Sequence, residues 1–73
     1  MKEIKIRVNY IAETKMITSL DLPSGWECDG SQFIGRKQYD YYKGSEENLV
    51  FIFQILYEYY RDKKGFCLYL HNC

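Results

Sequence analysis

The sequence has no charge imbalance: ten Lys and Arg residues meet ten Asp and Glu. Neutrality argues against a protein that coats DNA, which needs a strongly basic surface. It argues equally against an acidic mimic of nucleic acid. No apolar run approaches the eighteen residues of a membrane span, so no membrane partner is expected. Catalytic signatures are missing too. There is no G-x-S-x-G turn, no phosphate-binding glycine loop and no metalloprotease motif. The three Cys are odd in number and include no C-x-x-C pair. They fit free thiols in a reducing cytosol better than a secreted disulfide framework. Met1-Lys2-Glu3 is charged and runs straight into a strand pattern, so no signal peptide is expected and the predicted location is cytoplasmic.

What the chain has in quantity is apolar and aromatic surface. Hydrophobic residues make up 47% and aromatics 18%, including eight Tyr, which is too much for a disordered chain. Its 73 residues are read as one small globular domain, 1–73. A domain of this size buries only ~60% of the surface its unfolded chain exposes. Tyr combines a large contact area with a polar tip, so it serves both a small core and a recognition surface.

Period-2 alternation marks residues 3–10 as a half-buried strand, with Ile4, Ile6, Val8 and Tyr10 on one face and Lys5, Arg7 and Asn9 on the other. A turn at Ala12-Glu13-Thr14 leads to an expected second strand over 15–20. Residues 21–32 contain Pro23, Gly25 and Gly30 and read as a long loop. A third strand is expected over 33–42, with Phe33, Tyr39 and Tyr41 on one face and Ile34 and Tyr42 on the other. Helical spacing covers about 46–63, with Ser45 as N-cap, acids at its start, bases at its end and Gly65 closing it. Residues 66–71 alternate as a final strand. The predicted fold is α+β, in β-β-β-α-β order: a two-layer structure with one helix packed across a three- to four-stranded, mainly antiparallel sheet.

On the helix, Leu49, Ile52, Phe53, Leu56 and Tyr60 form the stripe that should lie on the sheet. Val50 and Tyr57 widen it on one flank and Ile55 on the other. Phe51 falls opposite. Either the 21–32 loop folds over Phe51 and Ile55, with Trp26 as its plug, or these two residues anchor a partner or a second copy of the chain.

Cys28, Cys67, His71 and Cys73 are zinc-type ligands at the wrong spacing. Residues four apart on a strand lie ~13 Å apart, whereas zinc ligands each sit ~2.0–2.3 Å from the metal. The same distance defeats a Cys67–His71 nucleophile–base pair. Neither a metal, a cofactor nor catalysis is expected. Arg36, Lys37, Tyr39 and Tyr41, with Lys5 and Arg7 on a neighbouring strand, instead place cations beside rings that can stack on bases. Asp40 interrupts that patch, and the loop before it holds only acids: Asp21, Glu27 and Asp29.

In type, a tiny Tyr- and Lys-rich α+β domain without catalytic motifs resembles accessory proteins of phages and mobile elements, anti-CRISPR proteins included. That resemblance implies a host or defence protein as partner and inhibition as outcome. The expected function is a non-enzymatic interaction module that occupies a partner protein's surface through Trp26, Tyr39, Tyr41, Tyr42, Phe51 and Ile55. The alternatives are a small binder of RNA or single-stranded DNA using Lys5, Arg7, Arg36 and Lys37, and a structural homodimer.

Overall fold

The computed structural model describes residues 3–11, 17 and 19–72. Strands β1 (Ile4–Tyr10), β2 (Trp26–Ile34), β3 (Lys37–Gly44) and β4 (Cys67–Asn72) form one antiparallel sheet in the order β2-β3-β1-β4. Helix α1 (Leu49–Tyr60) joins β3 to β4. Both of those strands run antiparallel to β1, which lies between them, so they run parallel to each other. The α+β class, the β-β-β-α-β order and the antiparallel sheet match the sequence reading.

The second described strand lies later in the chain than residues 15–20. Ser19–Asp21 is a single 3-10 turn, whereas residues 12–16 and 18, with the expected turn at 12–14, lie outside the described residues. The second strand forms instead from most of the expected 21–32 loop. A β-bulge between Cys28 and Ser31 absorbs Asp29 and Gly30. The expected third strand is therefore cut in two by the Gly35-Arg36 turn, since Ile34 pairs with Lys37. Gly35 has φ +62, the conformation that a two-residue primed turn requires at its first central position. The turn reverses the expected phase. Phe33 pairs with Gln38, on the core-facing side of β3, and Ile34 with Lys37, on the other.

The core-facing side of the sheet carries Ile4, Ile6, Val8 and Tyr10 of β1 and Tyr42 of β3, packed against Ile52, Leu56 and Tyr60 of α1. Leu49 and Phe53 pack against the same cluster from the helix stripe. The helix is shorter than its periodicity suggests. Asn48, in the left-handed conformation at φ 59, precedes it without a side-chain cap, and its amide donates instead to Ser24 O at 2.9 Å. The charges at Glu46, Glu47 and Lys63 therefore flank the helix rather than belong to it.

Asp40 lies in this core, fully buried. Tyr10 Oη and Tyr60 Oη both donate to Oδ2 at 2.7 Å, while Ser31 Oγ (2.7 Å) and Gln38 Nε2 (2.9 Å) donate to Oδ1. Tyr42 Oη bonds to Tyr60 Oη and accepts Ile17 N–H at 3.3 Å. Desolvation pushes the Tyr10, Tyr42 and Tyr60 phenols above their ordinary value of 10, and the neighbouring Asp40 charge pushes the same way. The folded chain thus holds these protons more tightly than the unfolded chain. Their contribution to stability is complete below pH 10 and is lost as pH rises beyond it. Urea unfolding on the alkaline side of pH 10 should show falling stability, with a shallower fall in Tyr60→Phe.

Gly44 sits opposite Trp26 on β2. A Cβ at position 44 would collide with Gly25 O and with the Trp26 ring. Because backbone stands on one side of the clash, the site cannot simply relax. Gly44→Ala should cost about 1–3 kcal/mol, read as a lower urea midpoint.

Candidate functional site

Of the sequence-chosen residues, two leave the surface. Trp26, expected as a loop contact or a plug over Phe51, is 6% exposed. Its indole N–H donates to Glu47 O at 2.7 Å, so it seals the joint between the β2–β3 hairpin and the helix start. Phe51 is left uncovered, at 60% exposure. Tyr42, expected at a partner surface, is fully buried because it sits in phase with Asp40 on the core-facing side. The remaining four divide between opposite sides of the molecule. Phe51 stands on the outward side of α1, and Ile55 lies half-buried in a shallow depression with Ile17, Asp21 and Tyr59. Tyr39 and Tyr41 are on the sheet face turned away from the helix. No single site contains all six.

That outer sheet face does gather residues. Pairing places Arg7 opposite Tyr41 on β3 and Tyr69 on β4, with Asn9 opposite Tyr39. The Arg7 guanidinium lies 4.3 Å from the Tyr69 ring centroid and 5.6 Å from that of Tyr39, within the range of cation–π attraction. Arg7 Nε is buried there and finds no hydrogen-bond partner among the described residues. Tyr41 Oη donates to Gln32 Oε1 at 3.0 Å. Tyr69 is the member that sequence reasoning missed, although its alternation with Leu68 and Leu70 placed it on that side of β4.

Two of the lysines on this face have carboxylate neighbours. Lys43 Nζ lies 3.5 Å from Glu27 and 3.6 Å from Asp29, and these two carboxylates raise its pKa. Lys5 Nζ lies 3.9 Å from Glu3. Lys43 of the basic strand thus meets Glu27 and Asp29 of the acidic stretch across the β2–β3 hairpin. Asp40, counted from sequence as a charge within the patch, points into the core. Lys5, Arg36 and Lys37 are exposed.

Cys28 and Cys67 are free thiols. Burial pushes the Cys28 thiol up, helped by the nearby Asp40 and Glu27 charges, and its S–H donates to Ile17 O at 2.7 Å. Cys67 and His71 lie four residues apart on β4, and Cys73 is outside the described residues. Among the described residues, no group of three metal-type ligands converges, and no helix is long and apolar enough to cross a membrane. No family model, no curated protein and no solved structure matches the chain.

The division of the tyrosines has a direct test. Tyr41→Ala removes a half-exposed ring and should cost no more than about 1 kcal/mol, in the range of a cross-strand pair. Tyr42→Ala empties a fully buried position and should cost about 3–5 kcal/mol, as for other large aromatics. Parallel urea titrations of the two variants separate these outcomes.

Proposed function

We propose that the chain is a non-enzymatic protein-interaction module and that its contact surface is the outer sheet face around Arg7, Tyr39, Tyr41 and Tyr69. The observation that carries this reading is the Arg7 guanidinium held between two tyrosine rings on the face opposite the helix. Tyr and Arg are the residue types enriched where protein interfaces concentrate binding energy. Here the rings and the cation are already ordered against each other, so little side-chain freedom remains to be lost on binding. The most buried carboxylate, Asp40, is bonded to four donors and cannot reach a substrate. Occupying a partner's surface is the mode of action this implies, in keeping with the small inhibitory proteins whose profile the sequence resembles.

Single-stranded nucleic acid is the second reading, favoured by the same rings together with the exposed Lys5, Arg36 and Lys37. It is weaker because Lys43 and Lys5 already have carboxylate neighbours. The two readings separate in one pair of measurements. An oligothymidylate titrated into the protein should show no binding at low salt under the first reading. Affinity that falls steeply with added salt would instead establish the second. A protein partner captured by the native chain should be lost with folded Tyr39→Ala/Tyr41→Ala and retained with Phe51→Ala. The reverse pattern moves the contact surface to the helix.

A further inference from the structure

The two edges of the sheet are built differently. β2 carries the bulge at Asp29-Gly30 and the charged Glu27 and Asp29, devices that discourage further strand pairing. β4 has no Pro, no Lys or Arg, no carboxylate and no bulge in its pairing with β1. Along its outer edge, every second residue turns its N–H and C=O away from β1. Leu70 and Tyr69 on this strand are 48% and 43% exposed. Beside β4, an apolar groove runs between the strand and the helix, lined by Phe53, Tyr57, Phe66 and Leu68. Val50, 70% exposed, extends the same flank of α1.

We infer that β4 pairs antiparallel with β4 of a second copy of the chain, making one eight-stranded sheet with both helices on the same side. Three observations point to a second copy as the occupant. First, the strand can oppose itself without repulsion, because it carries no formal charge and the chain as a whole is neutral. Second, the pleat restricts the register to those that oppose residues of one face. Residues directly opposite in an antiparallel pair share a face, and Tyr69 lies on the outer face while Leu68 and Leu70 lie on the helix side. A two-fold axis through the Tyr69–Tyr69 pair sets Leu68 opposite Leu70 of the other copy, twice, beneath the two helix flanks. Third, the helix surroundings are complementary under that axis. Glu46 and Glu47 precede α1, while Arg61, Asp62, Lys63 and Lys64, net positive, follow it. The two helices run antiparallel under that axis, so the acidic start of one lies at the same end of the assembly as the basic end of the other. The contact is isologous, and it closes at two chains.

Sedimentation velocity across a range of concentrations of the full chain tests the inference. A concentration-dependent monomer–dimer equilibrium is expected. Leu70→Lys should weaken it by at least a hundredfold, because each copy would bring an unpaired charge into the seam, and should leave the far-UV circular dichroism unchanged. Tyr57→Glu, on the helix flank, should do the same and serves if Leu70→Lys fails to fold. Phe51→Lys, on the outward side of α1, should leave the dimer intact. A monomer at every concentration, open-ended growth, or dissociation by Phe51→Lys alone would overturn the inference. A native chain that dimerises through β4 but binds no partner on its outer face would sustain it while refuting the proposed function.

Discussion

Asp40 carries a carboxylate into an interior that water does not reach. Removing such a group from water costs several kcal/mol unless hydrogen bonds answer it. Here they come from every layer of the fold: Tyr10 from β1, Ser31 from β2, Gln38 from β3 itself and Tyr60 from the last turn of α1. Each donor reaches the carboxylate only if its own element is in register. A slip of β2 by one residue would turn Ser31 away, and a helix ending one turn earlier would forfeit Tyr60. The satisfied carboxylate therefore couples the hairpin, the central strand and the helix in a chain too short to rely on core volume alone.

Part of this architecture is written in the local pattern. The alternation in β1 and the stripe of Leu49, Ile52, Leu56 and Tyr60 are strong because each element has one buried and one open face, while β4 alternates in residue type although its described residues are exposed or half-buried. β2 is illegible for the opposite reason. After Trp26 its residues are almost all exposed or only half-buried, so no period-2 signal survives, and the bulge shifts its phase midway. Gly25 and Gly30 then read as loop. The environment of Asp40 could not be read either. Its phase with Tyr42 is visible, but its donors come from positions up to 30 residues away in the chain. Trp26 and Tyr42, expected at a contact surface, are buried instead. The inner face of the sheet and its joint with the helix absorb both.

The two faces of the sheet divide the chemistry. The inner face holds a carboxylate and phenols whose protons are shared and whose solvent access is closed. The outer face holds phenol rings and a guanidinium in contact with water. Both rest on the same alternation along β3, where Tyr39 and Tyr41 point outward and Asp40 and Tyr42 inward. Changing that strand's register by one residue would exchange the two sets, burying the outer tyrosines and exposing the network that holds the fold together.

Trp26 gives the molecule its own optical probe. It is the chain's single tryptophan, and its indole is enclosed at the hairpin–helix joint with its N–H tied to a backbone carbonyl. Loosening of that joint would wet the indole and shift its emission to the red. Events confined to the outer face or to β4 would leave its surroundings unchanged. Intrinsic fluorescence therefore distinguishes damage to the scaffold from occupation of its surfaces, without any label.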